Sequence, residues 1–483
     1  MTLTPISRTL LTRIINFFSR SRCSLLGGVI SVILAPVLLI AVLLDMQGVV
    51  QNPYFGFLIY LVMGPLFLIG LLLLIGGSLF CGKKEDIGRL TIEYIEEELS
   101  RPGRFTRIRR LLSLTSVLTF ITLFIVGVVT YTGFHYTESV SFCGQFCHTV
   151  MEPEYVTFQN SPHSQVSCVQ CHIGAGAEWM TRSKFTGVKQ LFAVAMDSYP
   201  RPIPTPLEAL RPERATCEGC HRPAVFHGDK LYVKDRFLPD EANTHVQTVM
   251  VMRIGSGGYS GRDAHGIHWH VSEEHSVSYV GSRDRNTLSR VELRAADSDP
   301  VVYSRAGGVL PSDGTEERLM DCIDCHNRPT HVFLTAEEAL DQKLITGVIP
   351  REIPFIKRQG LAALQRKYPS QEVATRAIAN ELMEWYRREY PEIVEQRSEL
   401  LKKAVMGVQQ AYIENVFPEM NIDWGTYTSF TGHRDGDSGC FRCHNNEFRT
   451  ESGKTITQDC DACHIILVED QPARNIREIL KGL

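Results

Sequence analysis

Three stretches of the chain carry no charged residue: 24–44, 55–80 and 111–134. An α-helix rises ~1.5 Å per residue, so ~20 residues cross the ~30 Å hydrocarbon core of a bilayer. Each stretch reaches that length, and the pattern predicts three transmembrane helices within residues 1–136. A buried soluble helix is the rival reading, but three successive uncharged runs of this length argue against it. Between the second and third runs, residues 85–99 alternate acidic and apolar positions at helical spacing, as a solvated connector would. Beyond residue 136 the pattern changes. Residues 178–196 interleave Trp179, Phe185, Leu191 and Phe192 with Arg182, Lys184 and Lys189, which suits an amphipathic helix at a membrane interface. Residues 228–320 hold alternating or β-branched runs (TVMVMRI, SVSYVG, TLSRVELRA, VVYSRAG) between Gly- and Asp-rich turns, and read as a small β-rich insert. Residues 334–416 read helical, with Ile378, Leu382 and Trp385 on one face. Pro391 should start or break a helix.

Charge gives the helices an orientation. Arg8, Arg13, Arg20 and Arg22 precede the first run, the loop 45–54 has no Lys or Arg, and the loop 81–110 has eight. Basic loops stay in the cytoplasm. The N-terminus is therefore expected inside, and everything after about residue 136 outside. The first run is too long for a secretory h-region and lacks a small-residue cleavage site, so it reads as a retained anchor. The whole chain of 483 residues looks ordinary, with 44% apolar residues, 22% charged residues and a net charge of −4. That average conceals +5 over residues 1–136 and −9 over the remainder. The acidic external part is unlike a nucleic-acid binder and suits the steering of a basic protein partner.

The 14 cysteines bring in chemistry. Twelve form six pairs, each followed at once by histidine: Cys143/Cys147/His148, Cys168/Cys171/His172, Cys217/Cys220/His221, Cys322/Cys325/His326, Cys440/Cys443/His444 and Cys460/Cys463/His464. C-x-x-C-H is the attachment site of c-type haem. Two thiols at this spacing reach the two vinyl groups of one porphyrin, and the next side chain lies under the iron. Zinc knuckles and redox dithiols need no histidine after the second cysteine. The first pair has three intervening residues rather than two, and still counts as a haem site. The pattern thus predicts six covalently bound haems c. Haem is attached outside the bacterial inner membrane, in agreement with the basic loops. Cys23 and Cys81, at cytoplasmic helix ends, read as inert thiols.

Each iron also takes a ligand on its far side. The candidates are His163 in SPHSQVSC, His331 in CHNRPTH, His433 ahead of Cys440, and His268 and His270 in AHGIHWH. On an extended strand, successive residues of that last segment would point to opposite faces. Met151, in CHTVMEPEY, is a thioether candidate for the first haem and would raise its potential. Enough ligands exist to saturate the irons, which describes a wire rather than a substrate-binding haem.

The segment from the third helix through CGQFCHTVMEPEYVTFQNSPHSQVSCVQCHIG and WMTRSKFTGVKQL to RPERATCEGCH resembles the NapC/NirT/NrfH family of membrane-anchored multihaem quinol dehydrogenases. The remaining external region, with GIHWHV, MDCIDCHNRPTHVF, NVFPEMNIDWGTY and GCFRCH, is similar to the longer inner-membrane cytochromes of the ImcH type. The resemblance implies oxidation of menaquinol or ubiquinol, with electrons passing to a periplasmic redox protein or reductase. It also implies a quinol site beside the first haem, where the family's methionine corresponds to Met151 and its lysine to Lys184, with Lys189 next and Asp197 as the nearby acid. Two departures touch that site. Met151 stands three residues after His148 rather than two, and three membrane helices replace the single one of the short members.

The expected fold is a multihaem cytochrome c with three N-terminal transmembrane helices and a haem-packed periplasmic part, mostly α with a small β-rich insert. Its expected divisions are 1–136 as membrane anchor, 137–227 as a three-haem module, 228–320 as the insert and 321–483 as a helical three-haem module. The expected partners are the membrane quinol, the lipid bilayer and a periplasmic redox protein, while a homo-oligomer stays open. A terminal reductase with an open haem and a relay subunit of a larger respiratory complex are the rival functions.

Overall fold

A computed structural model describes residues 21–47, 55–56, 58–80, 104–146, 148–174, 177–207, 213–222, 228–256, 263–295, 298–305, 307, 315–433, 436 and 438–481. The chain divides into two units, Met1–Phe146 and Cys147–Leu483. The basic segments 1–20 and 81–103, on which most of the orientation argument rests, lie outside the described residues.

In the first unit, Ser21 starts helix α1 (Arg22–Met46): its hydroxyl accepts the Ser24 amide at 3.0 Å and donates to Gly77 O at 2.9 Å. A π-helical turn, Leu58–Met63, leads into α2 (Gly64–Phe80), and α3 spans Arg104–Thr137. Three spans are long and apolar enough to cross a membrane: Arg22–Asp45, Leu58–Gly77 and Thr119–Thr137. α1 and α2 pack backbone against backbone. A Cβ on Gly27 would lie 2.3 Å from Leu74 N, and one on Gly77 would lie 2.4 Å from Ser24 N. Small residues at such contacts are how apolar helices approach closely where no hydrophobic force drives them together.

The second unit opens with α4 (His148–Gln159), α5 (Cys168–His172), α6 (Ala177–Ala195) and α7 (Glu213–Cys217). Six strands follow: β1 (Lys230–Phe237), β2 (His245–Met252), β3 (His275–Ser282), β4 (Leu288–Ala295), β5 (Val301–Arg305) and β6 (Thr315–Leu319). β2, β3, β4 and β5 lie where the named β-branched runs fall in the sequence, β1 and β6 do not, and the sheets are larger than the expected insert. β7 (Phe448–Arg449) extends a five-stranded sheet of order β6-β3-β4-β5-β7, and β8 (His464–Pro472) completes a three-stranded sheet of order β1-β2-β8. Both late strands pair antiparallel with the open edge of an earlier one, β7 with β5 and β8 with β2. An edge strand presents unpaired backbone donors and acceptors that another strand can satisfy.

Between β6 and β7 lies a helical core of α8 (Ala336–Ile345), α9 (Ile356–Leu364), α10 (Gln371–Glu389), α11 (Pro391–Gln396) and α12 (Ser398–Ile413). Pro391 occupies the first turn of α11, where its missing amide costs nothing. Ile378, Leu382 and Tyr386 of α10 pack against Leu401, Ala404 and Val408 of α12, all buried. Two buried polar side chains fasten the strands to this core. Asn243 donates to Arg351 O and Ile353 O at 2.9 and 2.8 Å. Asp341 Oδ1 accepts the Phe237 amide at 3.0 Å and the Lys357 ammonium at 2.5 Å.

Candidate haem sites

Each described cysteine pair sits on one tight helical turn. α5 holds Cys168, Cys171 and His172. α7 ends on Cys217, and the chain turns on through Cys220, whose amide donates to Cys217 O at 3.1 Å. Short 3₁₀ turns Cys322–Asp324, Gly439–Arg442 and Cys460–Ala462 hold the last three pairs. The histidine amide closes the turn onto the first cysteine: His221 N to Cys217 O at 2.8 Å, His326 N to Cys322 O at 2.8 Å and His444 N to Cys440 O at 3.0 Å. Residues three and four apart share one face of such a turn. Both sulfurs and the imidazole therefore address the same space.

The pairs differ in how far the protein covers them. Cys171, Cys220 and Cys460 are exposed, whereas both cysteines of the Cys322/Cys325 and Cys440/Cys443 pairs are half-buried. α5, α7 and the Cys460 turn bury none of their own residues, whereas the Cys322 and Cys440 turns bury Asp324 and Arg442. Burial pushes the covered thiols up, Cys325 to about 12 and Cys443 to about 11. Among the described residues no group of three or more His, Cys, Asp or Glu is arranged around a common metal position, and no disulfide joins the described cysteines.

The histidines pair across the fold. Ring centroids lie 5.9 Å apart for His163 and His221, 6.3 Å for His172 and His331, 5.8 Å for His270 and His444, and 6.1 Å for His433 and His464. A ring nitrogen binds a metal at ~2 Å and lies ~1 Å from the ring centre, so two imidazoles trans on one iron hold their centroids ~6 Å apart. All four separations match. The interplanar angles of 70°, 52°, 79° and 33° are unconstrained, because each ring can turn about its own metal–nitrogen axis. Nδ1 of His163, His270, His331 and His444 faces a backbone carbonyl, of Pro329, Ile267, Glu154 and Thr457, at 3.2, 2.8, 2.9 and 2.8 Å. That contact fixes the tautomer and leaves Nε2 for a metal. Burial, and then His268 and His221, lower the His326 pKa below the ordinary imidazole value.

His268 and His270 do not lie on a strand. Ile267–Val271 forms a 3₁₀ turn, after Gly266 with φ +69°. The amides of Ile267 and His268 bond to Arg253 O and Ile254 O at 2.9 and 3.0 Å. The chain reverses tightly enough there that a Cβ on Gly255 would meet His265 O. The two side chains diverge, whereas on a strand residues two apart would share a face. Residues two apart in a three-residue turn are rotated by ~120°.

Polar residues that the sequence reading passed over hold these turns in register. Asp324, between Cys322 and Cys325, is fully buried; Arg318 bridges it to Glu213 of α7, at 3.3 and 3.0 Å. Arg442, between Cys440 and Cys443, donates to Asp324 O. The third, fourth and fifth pairs are thus joined by one buried network. Charged residues at the variable positions inside C-x-x-C were the available signal. Glu154 of α4 lies beside His331, its Oε2 3.1 Å from Nδ1, and the Arg328 guanidinium stacks 3.7 Å from the Tyr427 ring centroid. One Arg328 amino group is buried without a partner among the described residues. A buried donor of this kind suits the propionate carboxylates that a haem brings.

The first pair is different. Cys143 lies on a π-helical turn, Phe142–Phe146, while Cys147 and the His148 side chain lie outside the described residues. Met151 is half-buried on α4. Lys184 is half-buried on α6, and Lys189 is exposed on the same helix. Asp197 is exposed, has φ +50° and pairs with Arg201, whose guanidinium lies 4.3 Å from the Tyr199 ring centroid.

Comparison with known proteins agrees with this construction. Residues 106–203 match the N-terminal region of the NapC/NirT cytochrome c family. Over 94% of the chain, and 89% of the relative's own length, the sequence is 36% identical to the cytochrome c-type protein ImcH of Geobacter sulfurreducens. The chain is an ImcH-like member of the NapC/NirT cytochrome c family. It is accordingly a membrane-anchored electron-transfer cytochrome with covalently bound haem c. No solved structure matches it.

Proposed function

We propose that this cytochrome oxidises menaquinol or ubiquinol at the inner membrane and passes the electrons through six haems c to a periplasmic redox protein. Its N-terminus would be cytoplasmic and residues beyond about 136 periplasmic. The observation that carries the reading is the set of four histidine pairs at metal-bridging separation. In this reading His172 and His331 would hold one haem iron, and His221 with His163, His326 with His268, His444 with His270, and His464 with His433 would hold four more. His148 and Met151 would serve the first site. Bound between two such ligands, haem c supplies one-electron transfer and offers no open position to a substrate.

The protein's own residues would receive the quinol. α6 carries Phe185, Val188 and Phe192, with Met196 just past its end, as an exposed apolar stripe, 75%, 51%, 64% and 75% accessible, which suits the lipid interface where quinol is found. Lys184 on the same helix would hydrogen-bond a quinol oxygen or take its proton. Lys189 and Asp197 would assist as flanking charges.

Anaerobic mixing of the detergent-solubilised protein with a menaquinol analogue tests the proposal. Wild-type haem absorbance should shift to the reduced form, and Lys184→Ala should slow the shift by about 10²-fold. Equal rates would remove Lys184 from the site. A wild-type protein that menaquinol leaves oxidised, while dithionite reduces it, would end the quinol reading.

A further inference from the structure

Asp45 is the one acidic residue within the three apolar spans. A carboxylate in such a place is expensive and marks a functional site whose partner should be identifiable. Here the partner is Tyr60, which is 6% exposed and donates its hydroxyl to Asp45 Oδ2 at 2.7 Å. The Tyr60 ring centroid lies 5.5 Å from that of Tyr136 on α3, and Tyr136 lies 5.4 Å from Phe142. Phe142 adjoins Cys143, the first cysteine of the first haem motif. The end of α1, the turn before α2 and the end of α3 therefore converge where the first haem is attached. Tyr60 is sealed in the bundle, while Asp45 stays half-exposed and can be reached by a molecule dissolved in the bilayer.

We propose that Asp45, oriented by Tyr60, accepts the proton of a quinol hydroxyl at this end of the anchor. The inference rests on the quinol reading and adds to it a catalytic group from the membrane helices themselves. A quinol becoming a quinone gives up two electrons and two protons. The electrons pass one at a time to ferric haem c, each iron becoming ferrous. Each O–H bond breaks with its proton going to the Asp45 carboxylate, which becomes a carboxylic acid and releases that proton to water at the membrane surface before taking the second. A carboxylate within hydrogen-bond reach is chemically able to do this. Tyr60 is a positioning residue, since its hydroxyl holds one carboxylate oxygen and leaves the other for the quinol.

The alternative role is a structural pin between α1 and α2, and substitution separates the two. Asparagine still accepts the Tyr60 hydroxyl but takes up no proton. In stopped-flow reduction by a saturating menaquinol analogue, Asp45→Asn should lower the limiting rate about 10²-fold with dithionite-reducible haem unchanged, and Asp45→Glu should restore most of it. A mere pin predicts wild-type kinetics for Asp45→Asn, and that result would overturn the inference. If the Asn variant loses haem, Tyr60→Phe keeps the ring packing and should slow reduction about tenfold through the lost hydrogen bond; an unchanged rate there would be equally fatal. Failure of the wild type to accept electrons from menaquinol would instead refute the quinol reading beneath it.

Discussion

Asp324 is the buried charge on which three haem motifs lean, so its neutralisation should be felt well beyond its own turn. Its Oδ1 accepts the Tyr279 hydroxyl at 2.5 Å and Arg318 Nε at 3.3 Å; its Oδ2 accepts the Asp321 amide at 2.7 Å. Arg285 stands 3.7 Å away. Burial, and then Asp324 itself, push the Tyr279 pKa above its ordinary value, so the phenol remains a donor. Asp324→Asn keeps the shape and removes the charge. A hydrogen bond to a charged group contributes ~1.5–3 kcal/mol, and a buried pair broken by removing one partner costs ~3–5 kcal/mol. Arg318 keeps Glu213 at 3.0 Å, which points to the lower end of that range. We therefore expect a loss of ~3 kcal/mol, or ~6 °C in melting temperature at ~2 °C per kcal/mol. Calorimetry of the detergent-solubilised protein measures it. A double-mutant cycle with Arg318→Met should return a coupling energy above ~1 kcal/mol. An Asn variant that melts with wild type, or strictly additive effects, would show that the network does not hold the motifs.

Two further outcomes follow from the packing around the sites. Glu154→Gln removes the negative charge beside His331 and should raise the midpoint potential of one site only; a tenfold change in that equilibrium is ~59 mV for a one-electron couple, readable by potentiometric titration of the haem bands. Lys357→Met leaves the Asp341 carboxylate buried without its cation and should cost ~3–5 kcal/mol, whereas adding Asp341→Leu should recover most of that loss in the same melt.

The sequence made the attachment turns plain because covalent chemistry fixes their spacing within five or six residues. How deeply each turn sits was not legible in the same way: Cys220 and Cys443 occupy the same place in their motifs, yet the first is exposed and the second is covered by neighbours distant in the chain. The three membrane helices were legible because bilayer thickness sets their length. The histidine partners were only nameable. His163 and His221 are 58 residues apart, and His270 and His444 are 174 apart, so each match depends on how distant segments fold together. AHGIHWH reads as a strand by alternation, and only the crowding at Gly255 and Gly266 turns it. β7 and β8 joined their sheets because edges of β5 and β2 stood open, which no local pattern announces. Asp45 stands just past the end of the first uncharged run, and its meaning needed the contact with Tyr60.

The crossed histidine pairs also set a timetable for synthesis. In the proposed assignment, His163 precedes His221 in the chain, so the third site has both its ligands as soon as its own turn emerges. The second site waits for His331, which follows His172 by 159 residues. At ~5–20 residues per second, that is ~8–32 s during which a nascent chain holds one haem by a single axial ligand. The second site would therefore be completed after the third, although its motif comes first in the chain. For that interval its exposed iron would be the most vulnerable point of the growing chain.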